Sequence, residues 1–301
     1  MSHFQDKTFF VDNSAIELLT TCPWRAYASI IRKRTLVAEQ PALRFGGHIH
    51  AALAYRYRRI AQGKVPCPDV QMRILSTRFA RTPLESEEWR NVNTAQDVIT
   101  SYNERYSSEP LDTDVVHHNG FPLVEKPFAV IAGERLGWRI VYIGRIDMAF
   151  RDGGHLYVRD HKTSSVLGQT YWQDVAVSEQ QRGYCWALRE TLGEEPLGYE
   201  INVLCARKPS RTGNAIEFAR QKVFTREPPN QLDVWRDNML AQVETFLWHV
   251  NKNIFPRHHK HCIHKYGVCP FYSVCELPPQ TQEQALTSSA YQENTWSPLY
   301  K

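Results

Sequence analysis

Near the start of the chain Ile16, Leu18, Leu19, Trp24, Tyr27 and Ile30 recur at roughly helical spacing, which predicts a helix capped by Ser14 and broken at Pro23. A second helix is predicted from about Phe45 to Ala61, in FGGHIHAALAYRYRRIA, with His50, Leu53, Ala54 and Tyr57 near one stripe. Residues 70–107 keep a mostly helical period with breaks at Pro83 and near Asn91, and read as a helical insert that is scaffold or faces DNA. After SSEP the period becomes that of strands. LVEKPFAVI, WRIVYIGRIDMAF and HLYVRDHK are rich in β-branched and aromatic residues, and the turn RDGG separates the last two, so a meander is expected. A helix over about 178–192 follows, then strands YEINVLCA and AIEFARQKVFT joined by a basic loop, RKPSRTGN. The stretch from Pro229 to Asn251 predicts a long amphipathic helix with Leu232, Trp235, Met239, Val243, Phe246 and Leu247 on its apolar side. Residues 277–301 are polar and read as a loosely held tail, leaving residues 1–276 as a single α/β domain.

At 301 residues and 42% hydrophobic composition, the chain can bury a full core. No apolar run of about 18 residues occurs, and MSHFQDKTFF lacks the core of a secretory signal, so a soluble, cytoplasmic protein with no membrane partner is expected. A net charge of +4 is too small to identify a nucleic-acid partner, although basic residues bunch in IRKR, YRYRR and FPRHHKH. Seven cysteines without an export signal point to metal binding or catalysis rather than disulfides. Cys262, Cys269 and Cys275 lie close together and Cys22 far upstream, whereas Cys67, Cys185 and Cys205 are scattered and read as buried or incidental thiols.

The strongest chemical signal is in YVRDHKTSS. Asp160 and Lys162 stand two apart, so on a strand they share a face, and Asp147 in GRID falls on the neighbouring strand of the same hairpin. Paired carboxylates repel unless a cation or a shared proton lies between them. Magnesium suits such a site, and a nearby lysine could hold or help deprotonate a bound water. A surface ion pair at a strand end explains Asp160 and Lys162 equally well when they are taken alone. Gln180 and Tyr184, four apart in SEQQRGYCWAL, add a second polar pair on one helix face.

Taken in order, Gly46 to His50 (G-x-x-x-H), Glu125, Asp147, Asp160 with Lys162, and Gln180 to Tyr184 (Q-x-x-x-Y) resemble the RecB-type branch of the PD-(D/E)XK nuclease superfamily. The resemblance implies a restriction-endonuclease-like mixed central sheet flanked by helices. It also implies magnesium or manganese held by His50, Asp147, Asp160 and the carbonyl of His161, with Lys162 catalytic and Gln180 and Tyr184 in support. Glu125 would either meet a second metal or merely end a strand, and the second is favoured. The cysteines resemble the iron-sulfur staple of the branch that includes AddB subunits, CRISPR spacer-acquisition exonucleases and phage exonucleases. This implies a [4Fe-4S] cluster on Cys22, Cys262, Cys269 and Cys275 that clasps the N-terminal helix to the C-terminal segment. Zinc is the alternative, and His258, His261 or His264 could replace Cys262.

The implied function is a metal-dependent DNA exonuclease in recombination, repair or CRISPR adaptation, of a stand-alone phage or spacer-acquisition type. Arg145, Arg182 and Arg207 would hold phosphates, while Tyr184, Trp186 or Tyr27 would stack on bases. No G-x-x-x-x-G-K-[ST] loop occurs, so a helicase would be a separate partner, as would a recombination or annealing protein. The alternative is an inactive iron-sulfur DNA-binding module within a larger complex.

Overall fold

The structure is a computed structural model and describes residues 3–37, 41–81, 89–107, 109, 114–208, 216–225, 230–264 and 267–294. The longer elements are β1 (Thr8–Val11), α1 (Asn13–Thr21), α2 (Pro41–Ile60), α3 (Pro68–Arg81), α4 (Val92–Arg105), β2 (Val124–Arg135), β3 (Trp138–Asp152), β4 (His155–Ser164), α5 (Gln169–Ala176), α6 (Glu179–Leu192), β5 (Gly198–Ala206), β6 (Ile216–Phe224), α7 (Gln231–Lys252) and α8 (Pro279–Leu286). The chain divides into two compact units. The first comprises residues 1–39, 127–144 and 233–301, and the second residues 40–126 and 145–232.

In the second unit a mixed sheet is flanked by helices. β3 pairs antiparallel with β4 from Met148↔Arg159 to Asp152↔His155, and the turn between them carries Gly153 at φ 56° and Gly154 at φ 79°. Two successive positive φ values are what a two-residue hairpin of this twist needs, and glycine meets them without strain. β4 then pairs parallel with β5, and β5 antiparallel with β6. A parallel neighbour requires a crossover, which α5 and α6 provide. β5 is buried along its whole length, as befits a strand covered on both faces. α2, α3 and α4 pack Leu53, Tyr57, Leu75, Val98, Ile99 and Tyr102 into one core with Met148, Tyr157 and Leu204 of the sheet.

The first unit has its own core. β1 pairs parallel with the first half of β3, from Thr8↔Arg139 to Val11↔Tyr142, and Phe9 stacks against Phe246 of α7. Among the described residues no helix is long and apolar enough to cross a membrane.

Several expectations are corrected. The cap of α1 is Asp12, whose Oδ1 accepts from the Ala15 N–H at 2.7 Å, rather than Ser14 inside the helix. An acid at this position satisfies an orphan donor of the first turn. Asp147 lies within β3, which runs on to Asp152. α5 intervenes between the meander and the helix of Gln180 and Tyr184. Segment 277–301, read as a loose tail, carries α8 and a strand, Tyr291–Glu293, paired antiparallel with Arg34–Leu36. The Pro83 break and most of the RKPSRTGN loop lie outside the described residues.

Candidate active site

The face rule for strands separates the three residues Asp160, His161 and Lys162. Lys162 Nζ lies 2.9 Å from Oδ2 of Asp160, and both side chains meet α6. There Lys162 donates to Oε1 of Gln180 at 2.8 Å, and Gln181 Nε2 donates to Oδ2 of Asp160 at 3.1 Å. Lysine only donates, so Gln180 must turn its oxygen towards Nζ, and its NH2 then donates to the Tyr184 hydroxyl at 2.9 Å. His161 points the other way, where its ring stacks on Tyr57 of α2 with centroids 5.4 Å apart. The strand therefore carries an ion pair on one face and an imidazole on the other.

The β3–β4 pairing stops at Met148↔Arg159. Two residues further along β4, the His161 N–H donates to Oδ2 of Asp147 at 2.8 Å, so a side chain takes the main-chain donor near the end of this ladder. The other oxygen of Asp147 lies 3.4 Å from Nδ1 of His50, and Oε1 of Glu125 approaches the same nitrogen at 3.4 Å. One ligand atom from each of His50, Glu125 and Asp147 falls within 4.8 Å of the others. Two hard oxygen donors and an imidazole at this spacing fit a divalent cation such as magnesium or manganese.

Electrostatics show the same demand for positive charge. Burial opposes a charged imidazole at His50, but Asp147 and Glu125 outweigh it and raise its pKa to about 10. Burial likewise opposes the Asp147 carboxylate, yet His50 holds that group well below the ordinary range. Burial pushes Asp160 up, with Lys162 opposing and Asp147 adding to the rise. At Lys162 burial favours the neutral amine, but Asp160 prevails and raises the pKa, so the side chain stays an ammonium. An ammonium here donates hydrogen bonds and carries positive charge.

α2 brings His50 to the cluster because Gly46 lets the helix pass close to β4. A Cβ at position 46 would lie 2.9 Å from Oγ1 of Thr163. Glu125 is held at φ 49°, a left-handed conformation that a glutamate rarely adopts, and its carbonyl accepts from Arg145 at 3.1 Å. The preference for Glu125 as a mere strand end is thus corrected: its carboxylate enters the cluster. Asp160 lies outside that group of three and is held by Lys162 and Gln181.

His48 also separates from His50. It accepts from Arg78 Nε at 3.2 Å and is kept neutral, its pKa lowered to about 4 by burial and then by Arg78 and Arg44. Of the proposed phosphate ligands, Arg145 lies beside Glu125, Arg182 donates to the Ala176 carbonyl, and Arg207 makes a two-pronged pair with Glu217 at 3.0 Å. Trp186 is 1% exposed and belongs to the core, so it offers no face to a base. Sequence reasoning missed Gln181 and Asn202, both buried; for Asn202 a polar residue inside a largely apolar strand was the available signal, while Gln181 stands among polar neighbours that hide it.

The four cysteines singled out by sequence all fall in the first unit. Cys22 ends α1 and opens the turn Pro23–Ala26, where the Trp24 N–H donates to the Pro256 carbonyl at 3.1 Å. The Cys269 N–H donates to the Cys262 carbonyl at 2.7 Å. Cys22, Cys269 and Cys275 border one apolar cluster with Trp24, Phe271, Val274 and Tyr291. Burial and then Glu276 push the Cys275 thiol up to about 12, and burial with Cys269 and Cys22 raises Cys262. Among the described residues the group of three or more ligand atoms within 4.8 Å of one another is that of His50, Glu125 and Asp147, so no three of these sulfurs stand that close. Cys185 and Cys205 are buried as expected, whereas Cys67 is exposed.

A profile of the PD-(D/E)XK nuclease superfamily matches residues 13–276. No curated protein matches. Among solved structures, a provisionally named exonuclease from Eubacterium rectale is similar at 14% identity and a TM-score of 0.46, over 89% of this chain and 94% of that one. SSO0001 is similar at 13% identity and a TM-score of 0.38, over 91% and 88%.

Proposed function

Because the chain belongs to the PD-(D/E)XK nuclease superfamily, we propose that it is a magnesium- or manganese-dependent deoxyribonuclease that shortens DNA from its ends. The observation that carries the reading is the meeting of His50, Glu125 and Asp147, with Asp147 bonded to the strand that presents Asp160 and Lys162. A bound divalent ion would supply positive charge to the scissile phosphate and acidify an attacking water. The residues supply the rest. His50, Glu125 and Asp147 would hold the ion, with Asp160 beside them. Lys162, fixed between Asp160 and Gln180, donates to the attacking water or to a phosphate oxygen as negative charge builds there. Tyr184 holds Gln180 from behind. Arg145, Arg182 and Arg207 would meet the phosphate backbone by exchanging their present partners.

The second cofactor proposed is a [4Fe-4S] cluster on Cys22, Cys262, Cys269 and Cys275, with zinc as the competing centre. What supports a metal centre is that Cys22, Cys269 and Cys275 border one apolar cluster and that Cys262 is bonded to Cys269 through the main chain. Work on DNA ends suits recombination, repair or CRISPR adaptation in a bacterial or phage-infected cytoplasm, beside an annealing protein or a helicase.

The test is digestion of end-labelled linear and covalently closed circular DNA, single- and double-stranded, by anaerobically purified protein with magnesium or manganese. EDTA and Asp160→Ala serve as controls. Metal-dependent loss of linear but not circular DNA, absent in the variant, is the expected result. Cutting of circles would show an endonuclease, and intact DNA in every lane would favour a binding module.

A further inference from the structure

We infer that Arg220, acting through Asn202, fixes the tautomer and orientation of the His161 ring, and that this pair positions the stretch of β4 that holds Asp147. The inference rests on the metal site described above. Asn202 sits opposite His161 in the parallel β4–β5 register and has no solvent exposure. Its Oδ1 accepts from Nε of Arg220 at 3.0 Å, while its Nδ2 lies 2.7 Å from Nδ1 of His161 and donates to the Tyr102 hydroxyl at 3.0 Å.

A guanidinium has no acceptor, so the amide must turn its oxygen to Arg220 and its NH2 to His161. Nδ1 of His161 therefore accepts, and the single ring hydrogen belongs on Nε2. Arg220 cannot drift, because Glu109 takes its NH1 at 2.9 Å and the hydroxyls of Tyr102 and Tyr57 accept from its NH2 at 2.7 and 3.2 Å. With one ring edge fixed by Asn202 and one face stacked on Tyr57, the residue whose N–H holds Asp147 has no freedom to turn. Second-sphere partners of this kind typically govern metal affinity by about 10- to 100-fold. Arg220, Asn202 and Glu109 lie in segments that none of the ordered motif residues occupies, so they form a support separate from the ligands and from Lys162.

The test reads two quantities that need no cleavage. Long-range 15N–1H spectra of the histidines report the His161 tautomer in the wild-type chain, and the signal of manganese in electron paramagnetic resonance reports binding to wild type and to Asn202→Asp. That substitution keeps the bond to Arg220 and removes the donation to His161 together with that to the Tyr102 hydroxyl. Expected are Nε2–H in wild type, a shift of the hydrogen to Nδ1 in Asn202→Asp, and manganese binding weaker by about 10- to 100-fold. Nδ1–H in the wild-type chain overturns the inference even if the variant fails to fold. Unchanged manganese affinity in a folded variant overturns it as well. Wild-type protein that binds manganese and shows the Nε2–H tautomer but cuts no DNA removes the nuclease reading and leaves this one standing.

Discussion

Lys162 is held from two sides, and the two partners do different things. Asp160 keeps it charged, and Gln180 aims it. Losing a hydrogen bond to a charged group costs about 1.5–3 kcal/mol. Gln180→Leu should therefore lower kcat by roughly 10- to 100-fold, with a smaller change in KM for DNA, since binding of the strand does not depend on the aim of one ammonium. Steady-state digestion of a short labelled duplex checks this, and an effect confined to KM would move Gln180 from aiming the lysine to holding the strand. Glu109 is the comparable residue for stability. Its carboxylate pairs with Arg159 at 3.2 Å and Arg220 at 2.9 Å in a buried network. Burial alone would raise its pKa, but Arg159, Arg220 and Arg56 lower it below the ordinary glutamate value. A lowered folded pKa means the carboxylate stabilises the protein fully above the unfolded value, and that this contribution is lost as pH falls through the folded one. Glu109→Gln should cost about 3 kcal/mol at neutral pH, as expected when one partner of a buried ion pair is removed. Urea midpoints for variant and wild type should draw together as the pH is lowered into the acid range.

At the scale of elements, the contact of α2 with β4 decides whether His50 reaches the site. Gly46→Ala puts a methyl group within 3 Å of the Thr163 hydroxyl, so helix or strand must give way beside Lys162. Cleavage should fall, and Thr163→Ala in the same chain should restore much of it, because the obstructing oxygen is gone. Equal losses in the single and double variants would show that Gly46 serves something other than this contact. The elements also show what the sequence could carry. Asp160 and Lys162 share a face because strand alternation is fixed by backbone geometry, which is why their pairing was legible. Glu125 was not, since its place depends on a left-handed φ that nothing in VEKPF announces. α5 buries only Val175 and so has no apolar stripe for periodicity to detect. The segment after Leu277 was read as a tail because, among its described residues, two buried hydrophobic side chains mark it, Leu286 in the apolar cluster and Tyr291 stacked on Phe271, too few to set a period. Glu200 and Asn202 alternate in an otherwise apolar strand, a period of two that marks a buried polar face, and this signal was readable.

At the scale of the whole molecule, both ends of the chain belong to the first unit, while the candidate nuclease residues belong to the second. A metal centre joining Cys22 to Cys262 closes a loop of roughly 240 residues, and a covalent tie of that span removes about 5 kcal/mol of denatured-state entropy. The N- and C-terminal segments also meet through the Trp24–Pro256 and His258–Thr21 bonds, the pairing of Arg34–Leu36 with Tyr291–Glu293 and one apolar cluster, so loss of the tie should weaken the fold without abolishing it. Cys22→Ala should thus lower the thermal midpoint and abolish the brown colour of the cluster, whereas Cys67→Ala, at an exposed thiol in the other unit, should change neither. Visible absorbance, iron and zinc analysis, and scanning calorimetry on the two variants distinguish the possibilities. A colourless wild-type protein containing zinc would keep the tie and change its metal, while an unaltered midpoint in Cys22→Ala would show that the ends are held without any metal.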